Sequence, residues 1–326
     1  MCVYDHGLGV LEQYGLTARS SSRGRGALIC ETDQGLKVIR EYRGSVKKLE
    51  LQRQIQQQVE EEGTLRADVL IPNLEGELAS QHTDGLIYTV RNWFYGKECD
   101  TRSREEICRG AAALARLHKI IHLPAEEDYQ KEPLPQECAR HNREIRKVQR
   151  FLQKKQKKSE FERQLLEAAG LFLGQGLEVT RRLEDSGYGR LRERALAEGC
   201  VCHGECNQHN LLTVEGKPAF INFEKWSFDL PVADLYQFMR KILEKHSWDI
   251  ELGRRMVDAY SRIRPLSREE CENLLLRLGY PWKFWKLANY YANNPKVWVS
   301  AKTVEKLAQM AEQREKWLFF LENLRI

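Results

Sequence analysis

The stretch His203-Gly204-Glu205-Cys206-Asn207-Gln208-His209-Asn210 sets side chains that can do chemistry at a telling distance from one another. A carboxylate at Glu205 can take the proton of an attacking hydroxyl. Five residues on, the side-chain oxygen of Asn210 can hold a metal ion. A turn-prone loop between them aims both side chains at one point. Twelve residues beyond Asn210 comes Ile221-Asn222-Phe223-Glu224. A phosphoryl-transfer site would place there an acidic residue that grips Mg²⁺. The chain therefore carries the outline of such a site, with an amide at 222 in place of a carboxylate.

The surrounding pattern supplies elements to position these groups. Residues 211–214 and 219–222 are strand-like and flank the turn Glu215-Gly216-Lys217. That hairpin starts on Asn210 and ends on Asn222, so the two approach in space. Upstream, strands at 27–32 and 36–42 flank Asp33-Gln34-Gly35, a second hairpin. A helix is predicted over 45–62, capped by Ser45, with Leu49, Ile55 and Val59 on its apolar face. Two more strands are expected near 78–80 and 86–90. Trp93-Phe94-Tyr95-Gly96 reads as a connector. The expected division is a β-rich lobe over 1–92, a hinge over 93–98 and a helical lobe over 99–326. In the last, helices are predicted over 104–120, 137–173, 175–198 and most of 230–324, with breaks at Pro265, Pro281 and Pro295. The fold class is α+β.

Composition bounds the rest. A chain of 326 residues, 42% hydrophobic and 30% charged, is long enough for two lobes with their own cores. Its 52 basic and 47 acidic residues leave a net charge of +5, a mixed surface that argues against nucleic acid as the main partner. No apolar run reaches the ~18–20 residues of a membrane span. Met1-Cys2-Val3-Tyr4-Asp5-His6 has neither the basic nor the apolar region of a signal peptide. Nine cysteines without a disulfide framework read as reduced thiols of a cytoplasmic protein.

Other features have blander readings beside their sharp ones. Cys200, Cys202, Cys206, His203 and His209 lie within ten residues and raise a zinc-binding interaction module as an alternative. The Cys-x-Cys spacing instead suits core thiols on one strand face. Lys154-Lys155-Gln156-Lys157-Lys158 reads as the solvated end of a long helix. His118 reads as a structural histidine near a helix end. Tyr280, Trp282, Phe284, Trp285, Tyr290, Tyr291 and Trp298 form either core or the lining of a substrate pocket.

Taken together, His-Gly-acid-x₄-Asn, Tyr14-Gly15-Leu16, the 35–40 hairpin, Trp93 to Glu98, Leu114-Ala115-Arg116-Leu117-His118 and Asp229-Leu230-Pro231-Val232-Ala233-Asp234-Leu235 resemble the aminoglycoside phosphotransferase and choline kinase group. Within it the chain is most similar to the spore coat kinase-like proteins of the CotS family, over nearly its whole length. The resemblance implies a two-lobed protein-kinase-like fold that binds ATP and Mg²⁺ between its lobes. It also implies a place in the mother cell or the spore coat, with coat proteins as partners. By the same resemblance, His203 braces the loop, Glu205 is the base and Asp234 is a buried carboxylate supporting the loop. Asn210 and Asn222 stand at the metal positions. Arg40 stands where a phosphate-contacting Lys is expected, with Glu50 as its ion-pair partner, and the Gly24/Gly26 loop is either a phosphate-cradling turn or an ordinary hairpin turn. Glu for Asp at 205 and Asn for Asp at 222 depart from the pattern. Glu224 is a candidate substitute carboxylate if the strand through Asn222 stays extended, since residues two apart share a face. Two main readings follow: a kinase-like coat protein with a degenerate site that acts in coat assembly, or an ATP-dependent phosphotransferase for an unknown hydroxyl acceptor.

Overall fold

The structure, a computed structural model, describes residues 7–24, 26–294 and 299–326. Residues 1–6, Arg25 and residues 295–298, with Pro295 and Trp298 among them, lie outside the described residues. Strands β1 (Ala18–Gly24), β2 (Ala27–Thr32) and β3 (Gly35–Glu41) lead into helix α1 (Val46–Glu62). Strands β4 (Arg66–Ala67), β5 (Ser80–Gln81), β6 (Ile87–Asn92) and β7 (Lys97–Glu98) follow. An antiparallel sheet of order β1-β2-β3-β6-β5 forms the amino-terminal part. Ser45 caps α1 through the Lys48 N–H, and Gly63 ends it in the left-handed conformation. The apolar residues of α1 divide between two neighbours. Leu49 packs on Leu70 and Leu78, while Ile55 and Val59 join the main core with Ile107 and Leu114. One helix face thus ties the sheet to the helical part.

That helical part comprises α2 (Arg104–Ile120), α3 (Leu134–Lys154), α4 (Glu160–Asp185), α5 (Tyr188–Ala197), α6 (Val232–Leu243), α7 (Ile250–Ser261), α8 (Arg268–Gly279), α9 (Trp282–Asn293), α10 (Ala301–Glu312) and α11 (Arg314–Asn323). Between α5 and α6 lie strands β8 (Val201–Cys202), β9 (Leu211–Val214), β10 (Lys217–Phe220) and β11 (Ser227–Phe228). The β9–β10 hairpin is clamped from both sides. β4 pairs parallel with β10, and β7 pairs antiparallel with β9. A second ladder, β8 with β11, joins Cys202 to Ser227. It draws the start of the 203–210 loop to the end of the 222–226 turn.

One expected helix is two. The predicted 137–173 span breaks at 155–159, because Ser159 starts α4 in a capping box with Glu162. The lysine cluster therefore ends the long helix α3 and runs on through the α3–α4 turn, where Lys155 pairs with Glu162 at 2.5 Å. Tyr280 and Phe284 are buried, and Trp282 and Trp285 pack against core clusters. Tyr290 is exposed. Most of this aromatic stripe is core.

Candidate functional site

The 203–210 loop hangs from one buried carboxylate. Asp234, in the first turn of α6, accepts from the His203 N–H at 2.6 Å and the Gly204 N–H at 2.9 Å. Its Oδ2 also lies 3.2 Å from His118 Nε2, while His118 Nδ1 lies 2.7 Å from the Tyr260 hydroxyl. Burial works against charge on both partners. It pushes the His118 imidazole down and keeps it neutral. Burial alone would raise Asp234, but the hydrogen bond from His118 and the loop N–H groups outweigh it and hold the carboxyl low. His118 is thus a structural bridge between α2, α6 and α7.

His203 is fully buried and fixed at both ring nitrogens. Nδ1 accepts from the Glu205 N–H at 3.2 Å, and Nε2 donates to the Ile221 carbonyl at 3.0 Å. Gly204 has φ of 81°, and a Cβ there would sit 1.9 Å from the Lys225 carbonyl oxygen. Only glycine meets both demands. Asn207 and Asn210 close the loop by donating to the Glu205 carbonyl at 3.1 and 2.9 Å. These bonds leave the Glu205 carboxylate at the surface, 43% exposed and 3.0 Å from Lys225 Nζ.

The hairpin does bring Asn210 and Asn222 together. Asn222 Nδ2 donates to Asn210 Oδ1 at 2.8 Å. One of the two lone pairs of the Asn210 oxygen that could face a metal is taken by its neighbour's amide. Asn222 Oδ1 is buried without a hydrogen-bond partner among the described residues. Asn222 adopts a left-handed backbone (φ 69°, ψ 56°), and a short 3₁₀ turn, Phe223–Lys225, follows. This corrects the expectation of an extended strand through 222–224, so Glu224 does not share a strand face with Asn222.

Glu224 turns instead to two arginines. Its Oε1 lies 3.1 Å from Arg40 and 2.8 Å from Arg91. Burial would raise its pKa, but the two guanidinium charges outweigh burial and hold the carboxyl below the usual range. Arg91, on β6, is also 3.4 Å from Asp68, whose Oδ2 accepts from the Asn222 N–H at 2.9 Å. Asp68 is fully buried, and burial pushes its carboxyl upward. Gln56 donates to Asp68 Oδ1 at 3.2 Å from the inward face of α1.

The expected Arg40–Glu50 pair does not form. Leu49, Gln52, Ile55, Gln56 and Val59 make the buried face of α1, and Glu50 lies off it in solvent. Gln56 takes the inward polar place. The turn holding Gly24 and Gly26 is a hairpin end with Gly26 at φ 73°, and nothing within 4 Å would meet a Cβ on Gly26. Asp68 and Arg91 escaped the sequence reading. Their signal was a charge inside an apolar run, Ala67-Asp68-Val69-Leu70 and Tyr88-Thr89-Val90-Arg91, which buried chains rarely hold unpaired.

The zinc alternative loses its geometry. Cys202 Sγ points to the Leu230 carbonyl at 3.2 Å, and Cys200 and Cys206 are buried. Among the described residues the one convergent group of three candidate ligands is His118, Cys202 and Asp234, of which His118 and Asp234 already serve the network above and Cys202 is turned to Leu230. Nor do the residues around Asn222 suit Mg²⁺ as they stand. That ion favours one or two carboxylates. Here the donors are two amides, while Glu224 and Asp68 are engaged by arginines.

Sheet, clamped hairpin and helical part together define a kinase-like phosphotransferase fold. An aminoglycoside phosphotransferase from Alicyclobacillus acidocaldarius superimposes with a TM-score of 0.84 at 19% identity, covering 97% of this chain and 94% of the other. The amicoumacin kinase hAmiN, solved with AMP-PNP, Ca²⁺ and Ami, gives 0.62 at 11% identity, covering 97% and 94%. Spore coat protein S of Bacillus subtilis (strain 168) is 23% identical over 312 residues, which is 94% of this chain and 88% of that protein. The family model for spore coat putative kinase YutH matches residues 9–324, and the chain belongs to this family. No described helix is long and apolar enough to cross a membrane.

Proposed function

We propose that this spore coat kinase-family protein serves coat assembly through its fold and has set aside metal-dependent phosphoryl transfer. The carrying observation is the closed pair at the metal position. Asn222 donates to Asn210, and Glu224 is engaged by Arg40 and Arg91. The loop framework survives because Asp234 and His203 are needed to fold it, whatever passes through the cleft. Under this reading the protein acts in the mother cell or the coat, with coat proteins as partners. Any nucleotide binds weakly.

A second reading has its own support. Glu205 is exposed beside an open cleft lined by Gly204, Lys225, Trp226 and Tyr129. A base there would have room to meet a hydroxyl acceptor, which makes a slow ATP-dependent phosphotransferase the rival. A Glu205→Gln strain separates them. Normal coat composition supports the assembly role. Turnover of ATP by the purified protein, lost in Glu205→Gln, supports the enzyme.

A further inference from the structure

Arg40 and Arg91 lie on one face of neighbouring strands. In the β3–β6 register Val38 pairs with Arg91 and Arg40 with Thr89, so the two guanidiniums are diagonal neighbours. Both reach the same oxygen of Glu224. The Nε–H groups of both arginines are buried and without hydrogen-bond partners among the described residues. Arg91 is 99% buried by side chain, whereas Arg40 and Glu224 keep 18% and 29% exposure. Glu224 also lines the open cleft beside Gly204 and Lys225. A planar guanidinium binds phosphate in the same forked manner as a carboxylate. Two of them supply positive charge without any metal ion, although Asp68 beside Arg91 offsets part of it.

We propose that Arg40 and Arg91 form an anion site for the terminal phosphates of a metal-free di- or triphosphate, and that Glu224 is the internal carboxylate occupying it at rest. The inference rests on the reading that this cleft has lost its divalent-metal function. Glu224 competes with the ligand because both use the same donors. The site can open because Glu224 sits within a short 3₁₀ turn at the cleft wall and has solvent on one side, whereas the arginines are held by the sheet.

The test is calorimetric titration of the full chain in EDTA with inorganic pyrophosphate, ATP and adenosine. Glu224→Gln should bind pyrophosphate and ATP at least about tenfold more tightly than the unmodified chain, a difference of about 1.4 kcal/mol. Adenosine should gain nothing, and Mg²⁺ should add nothing. Arg40→Gln in the Glu224→Gln background should abolish the gain. No gain, a gain that requires Mg²⁺, or an equal gain for adenosine would overturn the proposal. If Glu224→Gln does not fold, thermal melting of the unmodified chain decides. Pyrophosphate in EDTA should raise its midpoint and Arg40→Gln should remove the rise; no rise, or a rise that persists, overturns the site. Mg²⁺-dependent ATP turnover by the unmodified chain would refute the assembly reading separately, leaving the EDTA titration to judge this inference.

Discussion

Restoring a carboxylate at Asn222 probes the closed metal position directly. In the protein, Asn222 is 7% exposed and donates to Asn210 Oδ1 at 2.8 Å. Asn222→Asp replaces that donor with an oxygen, so two acceptors face each other. The hydrogen bond is lost, and a buried acceptor is left unmatched. Those effects are worth about 0.5–1.5 and about 1–3 kcal/mol. The new carboxyl also sits on a residue whose backbone N–H is bound to Asp68, which adds anionic crowding. A net cost of about 2–4 kcal/mol follows in the absence of metal. At roughly 2 °C per kcal/mol for a chain of this size, the melting midpoint should fall by about 4–8 °C. A divalent ion then has a carboxylate to bind, and at a hundredfold excess over its dissociation constant it returns about 2.7 kcal/mol. Differential scanning calorimetry of both proteins in EDTA and in Mg²⁺ reads this out. The variant should melt low in EDTA and recover in Mg²⁺, while the unmodified chain should not respond. A variant that melts like the unmodified chain in both buffers would refute the reasoning, because residue 222 would then not face a metal position.

Other consequences follow from the same contacts. Asp234→Asn leaves either His203 or Gly204 facing an amide N–H, and breaking this buried charged hub should cost about 3–5 kcal/mol in urea unfolding. A loss under about 1 kcal/mol would mean Asp234 does not carry the loop. Gly204→Ala forces a Cβ to within 1.9 Å of the Lys225 carbonyl oxygen at a left-handed residue, so it should destabilise by more than about 4 kcal/mol or yield no soluble chain. At Glu162, burial would raise the carboxyl, but Lys155, Tyr291 and the Ser159 N–H pull it down to about 2. A depressed carboxylate contributes stability above its unfolded value, 4.5, and loses it as pH falls towards about 2. Glu162→Gln should flatten the melting-pH curve in that window, and an unchanged acid limb would count against the pairing.

How much of this was legible in the sequence depended on sequence distance. The 203–210 loop and its hairpin were readable because their spacing is fixed by local turns, whereas the place of Asp234 beneath the loop came only from the family resemblance. The meeting of Asn210 and Asn222 followed from the hairpin alone. Glu224 misled because the period-two rule holds only in extended backbone, and Asn222 leaves it. Glu50 misled because one residue on a helix is a 100° turn, enough to move a side chain from core to solvent. Asp68 contacts Asn222 across 154 residues, a distance over which no local pattern speaks. The lysine cluster masked a helix break whose sign was Ser159 and Glu162, a capping box inside a charged run.

Calorimetric titration of the unmodified chain with ATP, with and without Mg²⁺, combined with an assay for ATP turnover on the same sample, tests the central claim most directly. With Glu224 engaged by Arg40 and Arg91 and Asn222 bound to Asn210, binding should be weak, largely indifferent to Mg²⁺, and without turnover. Micromolar binding that strictly requires Mg²⁺, accompanied by turnover that vanishes in Glu205→Gln, would contradict the account and establish the protein as a working phosphotransferase.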